Sequence, residues 1–134
     1  ETFVKLFGGG EGELRLSHPD DMLQTGVEVD VTIPGKKRQR LELLSGGERS
    51  LSAVAFLFAL LKVKPSPLVV LDEVDAPLDE ANVGRFVNKI AQMSEKTQFI
   101  VITHNKRTME SARALYGVTM EEPGVSKVVS VRFE

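Results

Sequence analysis

The sequence contains no cysteine, and none of its apolar runs approaches the roughly 20 residues of a membrane-spanning helix. Without cysteine the chain can form neither a disulfide framework nor a thiolate metal site, a composition that fits the cytosol. No secretory leader is visible. The net charge is only −2, which gives no global attraction to nucleic acid. Any contact with DNA must therefore be local or belong to a larger assembly.

The composition is that of an ordinary globular protein. The 134 residues, 42% hydrophobic and 27% charged, predict one domain over residues 1–134 with a sizeable core. A glycine-rich stretch over residues 8–12 resembles a phosphate loop only superficially. It lacks the Lys-Ser/Thr pair that meets phosphate and Mg²⁺, so it is predicted to be a turn between strands.

The most informative stretch is an apolar run that ends in acids. Leu68 to Leu71 do not alternate with polar residues, which predicts a strand of a parallel sheet, buried on both faces by helices. Asp72 and Glu73 follow at the carboxyl end, where ligands bind in open α/β sheets. Ionised carboxylates at this place need a cation or protons to offset their desolvation, and the cation is most commonly Mg²⁺ bound together with a nucleotide phosphate. The alternative is two acids that bond only to loop amides.

The segment that follows predicts a βαβ unit. Asp79 can cap a helix over about residues 80–94, and residues 98–102 form a second apolar strand. A strand, a helix and a strand within about 35 residues imply parallel strands and a right-handed crossover. Thr103 and His104 should therefore emerge at the same sheet edge as the two acids.

A second helix is predicted from Ser45 to about Lys62, with an inward stripe at helical spacing. Ser45 and Glu48 form a capping box by pattern, so a well-capped core helix is one reading. Two successive glycines, Gly46 and Gly47, each cost about 1 kcal/mol of helix propensity. They are useful if a phosphate approaches the backbone amides at the positive end of the helix dipole.

The rest of the chain predicts mainly antiparallel structure. Strands are expected around residues 14–16 and 26–33, the second with its valines facing inward and its acids facing outward. A short helix over about residues 106–115 should precede a hairpin of strands 116–121 and 127–133. A basic stretch over residues 36–40 can be read as a phosphate contact or as a solvated turn.

Together the motifs resemble the ATP-binding cassette (ABC) ATPases. Their order matches a signature loop (44–48), a Walker B strand (68–73), a D-loop (74–79) and a switch histidine, His104. The residues of the signature loop and of the Walker B and D-loop segments resemble most those of the structural maintenance of chromosomes (SMC) branch. The end of the chain resembles that of the prokaryotic condensin type. The resemblance implies an α/β fold: the C-terminal lobe of an ABC-type head, with a parallel-core sheet flanked by helices, antiparallel edge strands and a C-terminal hairpin.

The resemblance also implies roles. Asp72 would hold Mg²⁺ through water, and Glu73 would orient and deprotonate the attacking water. His104 would contact the γ-phosphate of ATP, and Asp79 would couple the two sites of a head dimer. The signature loop would contact ATP bound on the opposite head, through Leu44, Ser45, Gly46, Gly47 and Glu48.

The cofactors implied are ATP and Mg²⁺, and the activity is ATP hydrolysis in chromosome condensation and segregation. The family's P-loop lysine and Q-loop glutamine segments are missing; in SMC proteins they lie in an N-terminal lobe, beyond a long coiled coil and hinge. The resemblance therefore implies a composite enzyme that this piece cannot form alone. The expected partners are that N-terminal lobe, a second SMC head in a homodimer, a kleisin subunit and DNA. No membrane partner is expected, and the expected location is cytoplasmic and nucleoid-associated.

Three other readings remain open. One is the head of an SMC-like DNA-repair ATPase, and another is a kleisin-docking module with idle ATP motifs, which intact Ser45, Asp72, Glu73 and His104 disfavour. The third is a transporter's nucleotide-binding domain. It is disfavoured because transporter signatures usually end in glutamine, whereas Glu48 stands here.

Overall fold

Two parallel strands and the helix that connects them form the centre of the molecule. β4 (Leu68–Asp72) pairs with β5 (Gln98–Ile102), and α3 (Glu80–Met93) joins them. Asp72 lies opposite Ile102, so both strands end at the same edge of the sheet. The computed structural model describes residues 1–133. The predicted βαβ unit is therefore confirmed, with its helix and second strand at nearly the predicted residues.

The other elements surround this unit. The remaining helices are α1 (Thr2–Phe7), α2 (Gly46–Val63) and α4 (Lys106–Glu110). The remaining strands are β1 (Glu11–Leu16), β2 (Val27–Thr32), β3 (Gln39–Arg40), β6 (Ala114–Glu122) and β7 (Val125–Arg132). An antiparallel sheet has the order β1-β2-β3, and a separate antiparallel hairpin pairs β6 with β7.

Three aromatic rings join the helices to the parallel strands. The Phe58 ring of α2 stacks on Phe86 of α3, with centroids 6.1 Å apart, and meets the Phe99 ring of β5 edge-on at 6.5 Å. Phe58 and Phe86 are fully buried. Burying each such side chain is worth about 1.5–3 kcal/mol. The rings therefore fix α2 and α3 on one face of the sheet, and the inward stripes predicted for both helices are confirmed.

The opposite face of the parallel sheet is exposed in this chain. Val69 and Leu71 pack into the core, but Val70 is 57% exposed and Ile102 is 50% exposed. The prediction that β4 is buried on both faces was therefore wrong for the described residues. A continuous apolar run marks both faces as suited to burial, yet residues 1–133 supply helices for only one of them.

The acids of β2 do not all face outward as predicted. Asp30 is buried, and its carboxylate pairs with the guanidinium groups of Arg15 on β1 and Arg38 before β3. Burying a carboxylate is costly unless it is paired, and two arginines meet that need here. The basic stretch thus makes intrachain ion pairs: Lys36 pairs with Glu48 in addition, which favours the turn interpretation.

The beginning of the chain holds a helix that the sequence pattern did not predict. Leu6 is buried, and the stacked rings of Phe3 and Phe7, with centroids 4.2 Å apart, join it in the core. Gly8 ends α1 in the left-handed conformation. Gly10 also has a positive φ of 77°, and a Cβ there would collide with the Thr32 carbonyl. The glycine stretch is therefore a turn, as predicted, but between a helix and a strand.

The last helix is shorter than predicted because strand pairing begins earlier. α4 ends at Glu110, and the Phe133 amide donates to the Arg113 carbonyl at 2.9 Å, which extends the pairing of β6 and β7 back towards α4. The predicted C-terminal hairpin is confirmed, and most of it is exposed. Within residues 1–133, no helix has both the length and the apolar character needed to cross a membrane.

Candidate functional site

The edge where β4 and β5 end brings the predicted acids and the histidine together. The Glu73 amide donates to the Ile102 carbonyl at 2.9 Å, which continues the parallel pairing one residue beyond Asp72. Thr103 and His104 leave β5 directly after that bond. The backbone therefore aligns the segment after β4 with the segment after β5, as the βαβ unit predicted.

Glu73 and His104 form the closest functional pair at this edge. The Glu73 Oε1 atom lies 3.6 Å from the His104 Nδ1 atom, with side-chain exposures of 59% and 74%. This separation exceeds the usual length of a direct hydrogen bond. Both groups are open to solvent, so the carboxylate can reach a water molecule and the imidazole can reach a ligand in front of the sheet edge.

The backbone of Glu73 is held in an unusual conformation. Its φ of 47° is the only positive value of a non-glycine residue within residues 1–133. Such a conformation costs free energy and persists only where the surroundings impose it. Two backbone hydrogen bonds hold it: the Glu73 amide donates to the Ile102 carbonyl, and the Glu73 carbonyl accepts from the Ala76 amide at 3.2 Å. Strain of this kind concentrates at functional sites.

Asp72 and Glu73 offer carboxylate oxygens, the ligand type that Mg²⁺ prefers. The described residues contain no cluster of three or more His, Cys, Asp or Glu side chains that could hold a metal. Mg²⁺ is usually held by one or two carboxylates together with water and substrate phosphates. The donor set therefore fits a Mg²⁺ that a nucleotide helps to bind, and it does not fit a metal held by protein groups alone.

The signature loop forms the tip of α2. Ser45 is the N-cap, and the predicted capping box is present. Ser45 and Gly46 are exposed, and a Cβ at Gly46 would meet no atom within 4 Å. Leu44, by contrast, is only 6% exposed. Its side chain anchors the loop in the core, while Ser45 and Gly46 lie exposed at the tip of α2.

The Glu48 carboxylate holds the start of the signature loop. Its carboxylate accepts from the Ser45 amide at 3.2 Å, from the Ser45 hydroxyl at 2.8 Å and from the Lys36 ammonium at 2.6 Å. The Lys36 contact, followed by the Ser45 hydroxyl, holds the pKa of Glu48 below its ordinary value. The Ser45 hydroxyl donates a hydrogen bond to Glu48 in this state, so it would have to rotate before it could donate one to a phosphate.

Asp79 has a structural role that its sequence position predicted. Its carboxylate accepts from the Asn82 amide at 2.8 Å and from the Asn82 side chain at 3.1 Å, and so caps α3. Within the D-loop, the Leu78 amide donates to the Asp75 carbonyl at 3.0 Å. The D-loop is thus a folded turn between the acids and α3.

Sequence reasoning did not single out Asp75 as a functional candidate. It is only 1% exposed, and its Oδ2 atom accepts from the hydroxyls of Thr103 at 2.7 Å and Thr108 at 2.5 Å. The available signal was weak: Asp75 lies between the apolar residues Val74 and Ala76, in a loop bounded by Leu71 and Leu78, both of which are buried. An acid in such a segment needs a polar partner, but the sequence does not say which residue supplies it.

The comparison with known proteins gives the family. Residues 24–127 match the family described as "RecF/RecN/SMC N terminal domain". The chain belongs to the SMC family. The Chromosome partition protein Smc of Bacillus subtilis (strain 168) is 61% identical over 134 residues, which are 100% of this chain and 11% of that protein.

Solved structures give the same result for the fold. The "Crystal structure of the SmcHead bound to the C-winged helix domain of ScpA" matches with a TM-score of 0.88 and 45% identity, over 98% of this chain and 40% of that one. A structure from "Structural biochemistry of ATP-driven dimerization and DNA stimulated activation of SMC ATPases" matches with a TM-score of 0.86 and 44% identity, over 97% and 78%. The predicted family and α/β fold class are confirmed, and the chain has the fold of part of an SMC head.

SMC membership rules out one of the readings that the sequence left open. A transporter's nucleotide-binding domain is no longer a candidate, because the curated relatives at 61% and 55% identity are both named Chromosome partition protein Smc. The chain spans about 11% of the length of these relatives. Its part in the activity of the whole protein is therefore taken up as a proposal.

Proposed function

We propose that residues 1–134 form the C-terminal lobe of a composite SMC ATPase head, in which ATP hydrolysis drives chromosome condensation, chromosome segregation and DNA organisation. One observation carries the proposal. Asp72, Glu73 and His104 come from two parallel strands and meet at one exposed sheet edge, with Glu73 and His104 3.6 Å apart. This arrangement suits phosphoryl transfer, since that reaction depends on positioning and charge stabilisation.

Each of the three side chains has a separate task in this proposal. Glu73 orients the attacking water and accepts its proton, for which its exposed carboxylate must lie within hydrogen-bond reach of that water. His104 contacts the γ-phosphate, and Asp72 holds Mg²⁺ through water. When bound, Mg²⁺ neutralises charge on the phosphates. The strained backbone of Glu73 supports the first task, because it fixes where the carboxylate can point.

A second lobe completes the head. The chain lacks a Gly-Lys-Ser/Thr loop, so the phosphate cradle must come from elsewhere, and we propose the N-terminal lobe of the same SMC protein. The exposed face of the parallel sheet supports this proposal, since Leu68, Val70, Ile100 and Ile102 are each 46–57% exposed. A two-stranded sheet with an open apolar face is marginal alone and is stabilised by further strands or helices.

Two such heads then bind ATP between them as a homodimer. The signature loop contacts the nucleotide held by the opposite head, with Ser45, Gly46 and Gly47 nearest to the γ-phosphate. The open space around Gly46 and the exposure of Ser45 support an approach of phosphate to the tip of α2. The D-loop, with Asp79 at the start of α3, couples the two sites.

The wider partners are also proposals. One related head is described as bound to the C-winged helix domain of ScpA, and another structure as concerning DNA-stimulated activation of SMC ATPases. We propose a kleisin subunit and DNA as partners of the complete protein, with a cytoplasmic, nucleoid-associated location. The net charge of −2 gives this chain no general attraction to DNA, so we propose that the contact is made through the whole complex.

Reconstitution tests the composite site. This chain is mixed with the P-loop-bearing N-terminal lobe, and ATP turnover is compared with that of each lobe alone. We expect turnover only in the mixture, and the Glu73→Gln mixture serves as the control for contaminating ATPases. A mixture that binds ATP but gains no turnover over the separate lobes would refute the composite site. Kleisin capture without turnover would favour a docking module instead.

A further inference from the structure

The residue that sequence reasoning missed connects the two halves of the candidate site. The carboxylate of Asp75 bonds to Thr103, which directly precedes His104, and to Thr108, which lies in α4. We refer to Asp75, Thr103 and Thr108 as the Asp75 clamp. Asp75 and Thr108 are 1% and 5% exposed. The Asp75–Thr108 end of the clamp is therefore buried, whereas Thr103 is only partly buried and lies next to the exposed His104.

We propose that Asp75 is a positioning residue for His104. This inference rests on the proposed function, because it assigns Asp75 to the same ATP site. Asp75 touches none of the reacting groups in the proposal. It lies two residues after Glu73, and its bond to Thr103 connects the segment of the base to the segment of the histidine.

The bonds around His104 leave it little freedom. On one side, the Ile102 carbonyl accepts from the Glu73 amide at 2.9 Å. On the other, the Thr103 hydroxyl accepts from the Asn105 amide at 2.9 Å while it donates to Asp75. The backbone on either side of His104 is thus hydrogen-bonded to the segment from Glu73 to Asp75, directly at Ile102 and through the Thr103 hydroxyl at Asn105.

Thr108 holds the helix that follows. The Asn105 side chain caps α4 by accepting from the amides of Arg107 at 3.0 Å and Thr108 at 3.4 Å. The Thr108 hydroxyl then ties this first turn to Asp75. A buried carboxylate that loses a hydroxyl partner pays a desolvation cost, so breaking either bond should shift the whole segment 103–108.

Kinetics of the complete ATPase distinguish positioning from general stability. Asp75→Ala risks misfolding, so the main variant is Thr108→Val, which keeps the side-chain shape and removes one bond to Asp75. A displacement of about 1 Å can cost up to about 100-fold in rate. We expect Thr108→Val to lower kcat at least about 10-fold with little change in KM for ATP, and Thr108→Ser to restore it.

A double-mutant cycle shows whether the effect passes through His104. In a His104→Ala background, Thr108→Val should lower kcat no further. An equal loss with and without His104 would overturn the proposal. Thr97→Val is the matched control: Thr97 is also 5% exposed, its hydroxyl donates to the Ser66 carbonyl at 2.8 Å, and it lies at the opposite end of β5. We expect it to lower stability but not kcat.

Hydrogen exchange of the full-length protein gives a readout independent of turnover. Peptides covering residues 103–110 should exchange faster in Thr108→Val and not in Thr97→Val. Unchanged exchange together with unchanged kcat would also overturn the proposal. If His104→Ala itself left turnover unchanged, the proposed role of His104 would fail, and the exchange comparison would still decide whether the clamp holds this segment.

Discussion

The α-carbon of Gly47 faces the carbonyl oxygen of Pro77, so close that a Cβ on Gly47 would lie 3.2 Å from that oxygen. The first turn of α2 therefore packs directly on the D-loop. Gly46, one residue earlier, faces open space. The two glycines of the signature loop thus have different explanations: a side chain at Gly47 would crowd the D-loop, whereas only a ligand would crowd one at Gly46.

Alanine substitutions at Gly46 and Gly47 distinguish a glycine kept for packing from a glycine kept for ligand binding. Gly46→Ala should leave the fold intact and stabilise it by up to about 1 kcal/mol through helix propensity. It should nevertheless weaken ATP-dependent head dimerisation, because its methyl group occupies the space proposed for phosphate. Gly47→Ala should lower the melting temperature, because Pro77 must move. Thermal unfolding and ATP-dependent sedimentation measure the two effects. Normal dimerisation of Gly46→Ala would contradict phosphate approach at this position.

Glu73→Gln should slow ATP hydrolysis in the reconstituted head and prolong the ATP-bound dimer. The amide cannot accept the proton of the attacking water, and the loss of a general base costs about 10²–10⁴-fold. Single-turnover hydrolysis and ATP affinity are measured together, and affinity should stay within about 3-fold because the proposal gives Glu73 no part in ATP binding. Glu80→Gln, an exposed acid in the first turn of α3, is the control. Unchanged turnover in Glu73→Gln would remove Glu73 as the base.

Ser45→Arg should block head engagement and leave ATP binding to each head intact. A long cation at the tip of α2 would fill the space in front of the exposed Ser45 and Gly46. The substitution also removes an N-cap, worth about 1 kcal/mol, so Ser45→Ala is the necessary control: it loses the cap without filling the space. ATP-dependent dimerisation by light scattering separates the two. Equal dimerisation of Ser45→Arg and Ser45→Ala would argue against the role in trans.

The Lys36–Glu48 ion pair should make the stability of the fold depend on pH. A carboxyl with a lower pKa in the folded state stabilises the fold above its unfolded pKa, and this contribution is lost as pH falls through the folded value. Lys36 is the main cause of the lowered pKa of Glu48, whose ordinary value is 4.5. Lys36→Met should therefore be less stable than wild type at pH 7. The difference should begin to shrink as pH falls below about 4.5 and should vanish once pH is below the lowered pKa of Glu48 in the folded state.

The effect in Lys36→Met should be small, because the Lys36 side chain is 50% exposed and such pairs are worth under about 1 kcal/mol. Melting temperatures between pH 3 and pH 7 measure it, with the neighbouring Lys37→Met as the matched control. Added salt should reduce the difference. A difference that persisted undiminished at pH 3 would show that Lys36 acts through packing.

Much of the central architecture could be predicted from sequence because local signals agreed there. The apolar runs of β4 and β5, the cap at Asp79 and the 3.6-residue stripe of α3 all indicate one βαβ unit. Chain topology then requires His104 to emerge beside Glu73, since parallel strands end at the same edge. That step needed no knowledge of side-chain contacts.

The features that were missed depend on contacts between distant residues. Asp30 alternates like a solvent-facing acid, and only the approach of Arg15 and Arg38 makes its burial possible. Asp75 likewise depends on hydroxyls 28 and 33 residues away. The exposed face of β4 shows the converse: the strand has the composition of a buried one, but the covering groups are absent from the described residues.

The left-handed backbone of Glu73 has a consequence for the evolution of this site. Glycine adopts a φ of 47° without steric penalty, so exchanging Glu73 for glycine should relieve about 1 kcal/mol of strain. The greater freedom of glycine in the unfolded chain offsets part of this gain. In the proposed function, the carboxyl group of Glu73 is the reason why this position carries a glutamate despite its strained backbone.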